Sequence, residues 1–141
     1  MQFISLDPLE EGRPVAEVRV AGTVYDLHND AVFDRLEIDF QQRRVGLQWK
    51  TKTPAWRSPE LPEPTQRRTI AGLSMILSSV RSVRPSGEYV SPTSDAPMGI
   101  DFIEYHRLQG GVGELRVVFD NESEIVVRAS RCEVFLTTSQ C

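Results

Sequence analysis

Glu114-Leu115-Arg116-Val117-Val118-Phe119-Asp120-Asn121-Glu122-Ser123-Glu124-Ile125-Val126-Val127-Arg128-Ala129 is the stretch that decides the fold. Leu115, Val117 and Phe119 fall on one face of an extended chain, with Glu114, Arg116 and Asp120 on the other. Side chains alternate sides only in a strand, so period two marks β-structure with one buried and one wet face. Asp120 to Ser123 supplies turn formers, because Asp, Asn and Ser side chains bond nearby backbone. Ile125, Val127 and Ala129 then resume the alternation. A second break at Ser130-Arg131 leads to Cys132, Val134 and Leu136, opposed by Glu133, Phe135 and Thr137. Residues 114–138 therefore read as a three-strand meander.

The same pattern extends upstream. Val18 and Val20 alternate with Glu17 and Arg19. Leu36, Ile38 and Phe40 alternate with Arg35, Glu37 and Asp39. Val45, Leu47 and Trp49 follow after the short polar link Gln41-Gln42-Arg43, so residues 35–50 read as a hairpin. Thr69 to Val83 reads as two strand pieces bent at Gly72, since glycine inside a strand marks a bulge. A helix over 73–83 is the alternative, weakened by its serines and valines. Ile100 to Leu108 reads as a strand on its aromatic and β-branched content, with a helix over 95–108 as the alternative. Gln109 to Gly113 is a turn.

Two segments carry most of the prolines, at about 51–67 and 85–99. Proline cannot donate to a ladder, so both are loops and neither can be a central strand. The expectation is an all-β, mostly antiparallel single domain over residues 1–141. It would be a β-sandwich or β-barrel of about 8–10 short strands with little helix.

Size and charge narrow the function classes. The chain has 141 residues and a net charge of −4. That length suits one domain with its own core. The acidic balance argues against nucleic acid as a partner, which selects a positive surface. No apolar run is long enough to span a bilayer, and the first residues lack a signal-peptide pattern, so a cytoplasmic, soluble protein is expected. Of 16 basic residues only Lys50 and Lys52 are lysine. The arginines are scattered along the sequence, as codon bias produces. Cys132 reads as a small core residue and Cys141 as a terminal one, with no disulfide expected.

Chemistry-bearing motifs are sparse. Tyr25-Asp26-Leu27-His28-Asn29-Asp30, followed by Asp34, is the densest polar cluster. It has no metal-ligand spacing and no catalytic signature, and Asp and Asn are the usual residues of turns. His106 has no patterned partner. No serine sits in a nucleophile elbow. Gly110-Gly111-Val112-Gly113 lacks the lysine of a phosphate loop. No catalytic residue, metal or cofactor is therefore assigned. Trp56 and Arg57, in the first proline segment, are candidate binding anchors, because Trp and Arg dominate binding hot spots. Asp26, His28, Asn29 and Asp30 join them as candidate binding residues. Lys50, Lys52, Arg67 and Arg68 would add a basic patch around Trp56.

The order of hairpin, Trp-ended strand, proline loop, bent strand and C-terminal meander resembles, in pattern only, small bacterial β proteins, some toxin-immunity proteins among them. The absence of catalytic motifs and the two long proline loops point to a non-catalytic protein-interaction module, of the immunity or accessory kind, with a protein partner bound through loops. A barrel enclosing a small ligand is the alternative, and an enzyme using the His28 loop ranks last.

Overall fold

The computed structural model describes residues 1–52, 56–57, 68–87, 89 and 98–140. Its elements are β1 (Gln2–Ile4), β2 (Glu17–Val20), β3 (Thr23–Asp26), β4 (Ala31–Asp39), β5 (Arg44–Thr51), β6 (Trp56–Arg57), β7 (Arg68–Ser78), β8 (Ser82–Ser86), β9 (Ile100–Arg107), β10 (Gly113–Phe119), β11 (Glu124–Ala129) and β12 (Arg131–Gln140), with a single 3-10 turn at Gln109–Gly111. The all-β, mostly antiparallel expectation holds, and both helical alternatives fall away. The large sheet runs β1-β12-β7-β5-β4, with β6 also pairing β7. The second runs β8-β11-β10-β9, and β2-β3 form a separate hairpin. The sheets do not close into a barrel. A ligand-enclosing barrel therefore loses the closed wall it requires.

One core joins the two layers. Val45, Leu47, Trp49, Leu73, Met75 and Leu77 of the large sheet are buried with Ile103, Leu115, Val117, Phe119, Ile125 and Val127 of the second. Phe33 packs edge-on against Trp49, with centroids 5.4 Å apart, and against Phe119 of the other sheet at 5.0 Å. The β2–β3 hairpin adds Val18, Val20 and Tyr25 to this cluster. Its two-residue turn, Ala21-Gly22, has positive φ at both positions (49° and 83°), the geometry that matches the twist of flanking strands.

Four expectations need correction. The C-terminal stretch is not a three-strand meander: β10 and β11 pair, but β12 crosses at Ser130 to the large sheet, antiparallel to β7 and parallel to β1. Its alternation is the same in either sheet, so periodicity cannot assign a partner. Tyr25 belongs to β3 and is buried, so the polar turn begins at Asp26. Trp56 and Arg57 do not lie in a loop: they pair with Ile70 and Thr69. Pro85 lies in β8, an edge strand, where its missing N–H costs no ladder bond. The rest of both proline segments lies largely outside the described residues.

Thr69 to Val83, expected as two strand pieces bent at Gly72, is strand as expected but divides elsewhere. β7 runs through Gly72 as one strand with a bulge and ends at Ser78, and Val83 belongs to β8 in the second sheet. Thr137 faces Gly72 and Thr138 faces Ile70, leaving Ala71 as the extra residue. A second bulge falls in β4, where Phe33 faces Trp49 and Arg35 faces Gln48, leaving Asp34 over. That bulge lets Ala31 and Phe33 point inward before it, and Leu36 and Ile38 after it.

Candidate interaction surface

The polar loop expected to carry function is occupied with holding its own turn. The N–H groups of His28 and Asn29 donate to Asp26 Oδ1 at 2.9 and 2.8 Å, and Asn29 Nδ2 donates to Asp26 Oδ2 at 2.9 Å. Burial acts to raise the Asp26 pKa, but the Asn29 and His28 hydrogen bonds outweigh it and hold the carboxyl below its ordinary value of 3.8. His28 Nδ1 lies 2.5 Å from the Ile100 carbonyl, which ties the loop to β9. The Asp30 carbonyl accepts from the Lys52 N–H at 2.8 Å. No group of three or more metal-ligating side chains occurs among the described residues.

The same bonds bring the two sequence-predicted segments to one end of the large sheet. Lys52 follows β5, and Trp56 and Arg57 meet the start of β7 on the edge that β5 vacates beyond Gly72. The basic patch expected there is reduced, since Lys50 Nζ is spent on Asp34 at 3.1 Å.

The opposite end, roughly 25–30 Å away along β4, holds what the sequence reading missed. Phe40 was expected on the core face of its strand. It is 84% exposed at the tip of the β4–β5 hairpin, beside Ile38 at 40%. The reason is position: β4 ends at Asp39, so Phe40 lies in the turn, and beyond the Phe33–Met98 bridge β4 has no outer neighbour among the described residues.

Two depressions meet at this tip. One, of about 1140 Å³, runs over the outer face of the large sheet, past Glu37, Gly46, Ile76, Glu133 and Phe135. The other, of about 370 Å³, opens between the two sheets and is lined by Ile38, Phe40, Val45, Val80, Val83 and Pro85. Ile38, Asp39, Phe40 and Arg44 border both. A bond from the Val80 N–H to the Arg43 carbonyl, 3.0 Å, locks the hairpin turn onto the β7–β8 link and fixes the groove's shape.

Charge separates this corner from the sheet surfaces, for the large sheet pairs Arg35 with Glu37, Lys50 with Asp34 and Arg131 with Glu133. The outer face of the second sheet neutralises itself: Arg116 reaches both Glu104 and Glu124, His106 lies 3.5 Å from Glu104, and Arg128 lies 3.2 Å from Glu114. Arg43, Arg44 and Arg81, by contrast, meet at the groove, are exposed and have no ion pair among the described residues, as is also true of Arg84 and Arg107 elsewhere on the second sheet. A legible signal for this corner existed in Phe40-Gln41-Gln42-Arg43-Arg44, an aromatic at a strand end followed by a turn and two adjacent cations.

Comparison with protein-family models, with curated proteins and with solved structures finds no match to this chain. The site geometry is therefore the sole guide to function.

Proposed function

We propose that this chain is a non-catalytic protein-interaction module, and that it docks its partner on the hairpin corner around Phe40. The observation that carries this reading is the 84% exposure of Phe40 beside the 40% exposure of Ile38, at the mouth of an apolar groove. Burying one such aromatic contributes about 1.5–3 kcal/mol, so an exposed Phe on a well-tied turn is a ready anchor for a partner. The tie to the β7–β8 link reduces the ordering cost of binding.

The test uses immobilised full-length chain and extract of the cells that produce it. Wild-type protein should retain a defined protein, identified by mass spectrometry, that Phe40→Ser and Ile38→Ser lose. Phe40→Ser should shift stability by less than about 0.5 kcal/mol, as expected for an exposed site, so lost retention would not reflect unfolding. Trp56→Ala with Arg57→Ala is the matched comparison. Retention lost there and kept in Phe40→Ser moves docking to the other end of the sheet. Retention unchanged in every variant ends the reading.

A further inference from the structure

Six of the fourteen arginines of this chain are already engaged. Arg13, Arg19, Arg35, Arg116, Arg128 and Arg131 each lie within 3.7 Å of a carboxylate. Arg43, Arg44 and Arg81, which rim the groove, are exposed and make no such contact among the described residues. Asp39 is the carboxylate that lines the same groove. Among the described residues, three arginines without a carboxylate partner thus gather around the exposed apolar cleft of a chain of net charge −4. Like charges held together without counter-charges repel, so a partner that neutralises them gains from each contact.

The backbone adds a second constraint. β4 and β8 are the edge strands of their sheets, and both line this groove. Beyond Phe33, which bonds to Met98, β4 has no partner on its outer side among the described residues. An open edge offers N–H and C=O groups to an added strand.

We infer that the corner binds an extended acidic segment of a partner protein, which inserts an apolar side chain beside Ile38, Phe40 and Val83 and pairs its carboxylates with Arg43, Arg44 and Arg81. In strand geometry, alternate side chains point to opposite sides. A segment alternating acidic and apolar residues therefore satisfies the groove and its rim together. This inference rests on the docking corner proposed above and adds the chemistry of what docks there.

The test is fluorescence anisotropy on the full chain with three labelled peptides of equal length, alternating leucine with glutamate, glutamine or lysine. The glutamate peptide should bind most tightly and the lysine peptide least. Raising the salt concentration should weaken the glutamate peptide. Arg44→Glu with Arg81→Glu should weaken it on the order of tenfold, whereas Arg44→Lys with Arg81→Lys should keep most of the binding. Equal binding of the glutamine peptide, preference for the lysine peptide, or no saturable binding overturns the inference. So does displacement of the glutamate peptide by a single-stranded oligonucleotide, or self-association that Phe40→Ser abolishes. The two readings fail separately. If Phe40→Ser removes binding while charge reversal does not, the corner stands and its acidic preference falls. If Phe40→Ser changes nothing, the corner itself falls.

Discussion

A Cβ placed on Gly72 would lie 2.5 Å from the backbone carbonyl oxygen of Trp49. Glycine is required at this position by the bulge that sets Ala71 out of register: there β7 comes close against β5, and no side chain fits between them. The obstructing atom is main chain in a central pair of strands, so it cannot swing aside.

Gly72→Ala should therefore destabilise the fold by about 1–3 kcal/mol, the usual penalty for forcing atoms into a packed site. Gly46→Ala should do the reverse. Its added carbon would meet Ile76 Cδ1 at 3.6 Å and Glu37 Cβ at 3.8 Å, ordinary contact distances. Replacing a strand glycine there should stabilise by up to about 1 kcal/mol. Urea denaturation of the two variants tests the contrast, and equal effects would show that the close approach to Trp49 is relieved by backbone movement.

Asp26 should make stability depend on acid in a defined window. Its folded-state pKa is depressed, because the Asn29 and His28 hydrogen bonds favour the carboxylate more than burial disfavours it. The contribution is therefore fully present above the unfolded value, near 3.8, and is lost as pH falls through the lower folded value. Melting temperatures measured from neutral to strongly acidic pH should show a loss in wild type below that point, and the loss should be smaller in Asp26→Asn. Asp26→Ala should cost about 1–2 kcal/mol at neutral pH, from hydrogen bonds to a charged acceptor on the surface. A pH profile identical in wild type and Asp26→Asn would remove this residue from the acid response.

Cys132 should be chemically silent in the folded chain. It is buried in the core, and desolvation pushes its thiol up to about 12. The reactive species is the thiolate, so both access and ionisation oppose modification. In a Cys141→Ser background, a disulfide reagent should label the native protein slowly and the urea-unfolded protein fully. Rapid native labelling would mean that β12 opens away from β7 far more often than its ladder implies.

Much of the fold could be read from alternation, and the errors have two physical origins. Leu115, Val117, Phe119, Ile125 and Val127 all point inward as their spacing predicts. Cys132 and Val134 do so too, yet in the other sheet. A strand's pattern records which of its faces is dry, and it is blind to which neighbour dries it. Phe40 shows a second limit of the pattern. Its place in the alternation matched Leu36 and Ile38, but β4 ends at Asp39, and alternation assigns a face only while the chain stays in the strand.

The candidate site was legible to a smaller degree. Asp26 and Asn29 as turn formers followed from local chemistry, since their partners lie within three residues. The arginine rim did not, because Arg43 and Arg44 meet Arg81 only through the link that bonds Val80 to Arg43.

What the sequence by itself determined was local: extended strands, their dry faces, the bulge glycine at position 72 and the turn at Asp26. Each depends on interactions between residues close in the chain. What only the tertiary structure decided was adjacency: the crossing of β12 between sheets, the edge positions of β4 and β8, and the gathering around Phe40 of arginines that have no ion pair among the described residues. Adjacency arises from contacts distant in sequence, where packing of one layer on another chooses the partner and leaves no periodic trace.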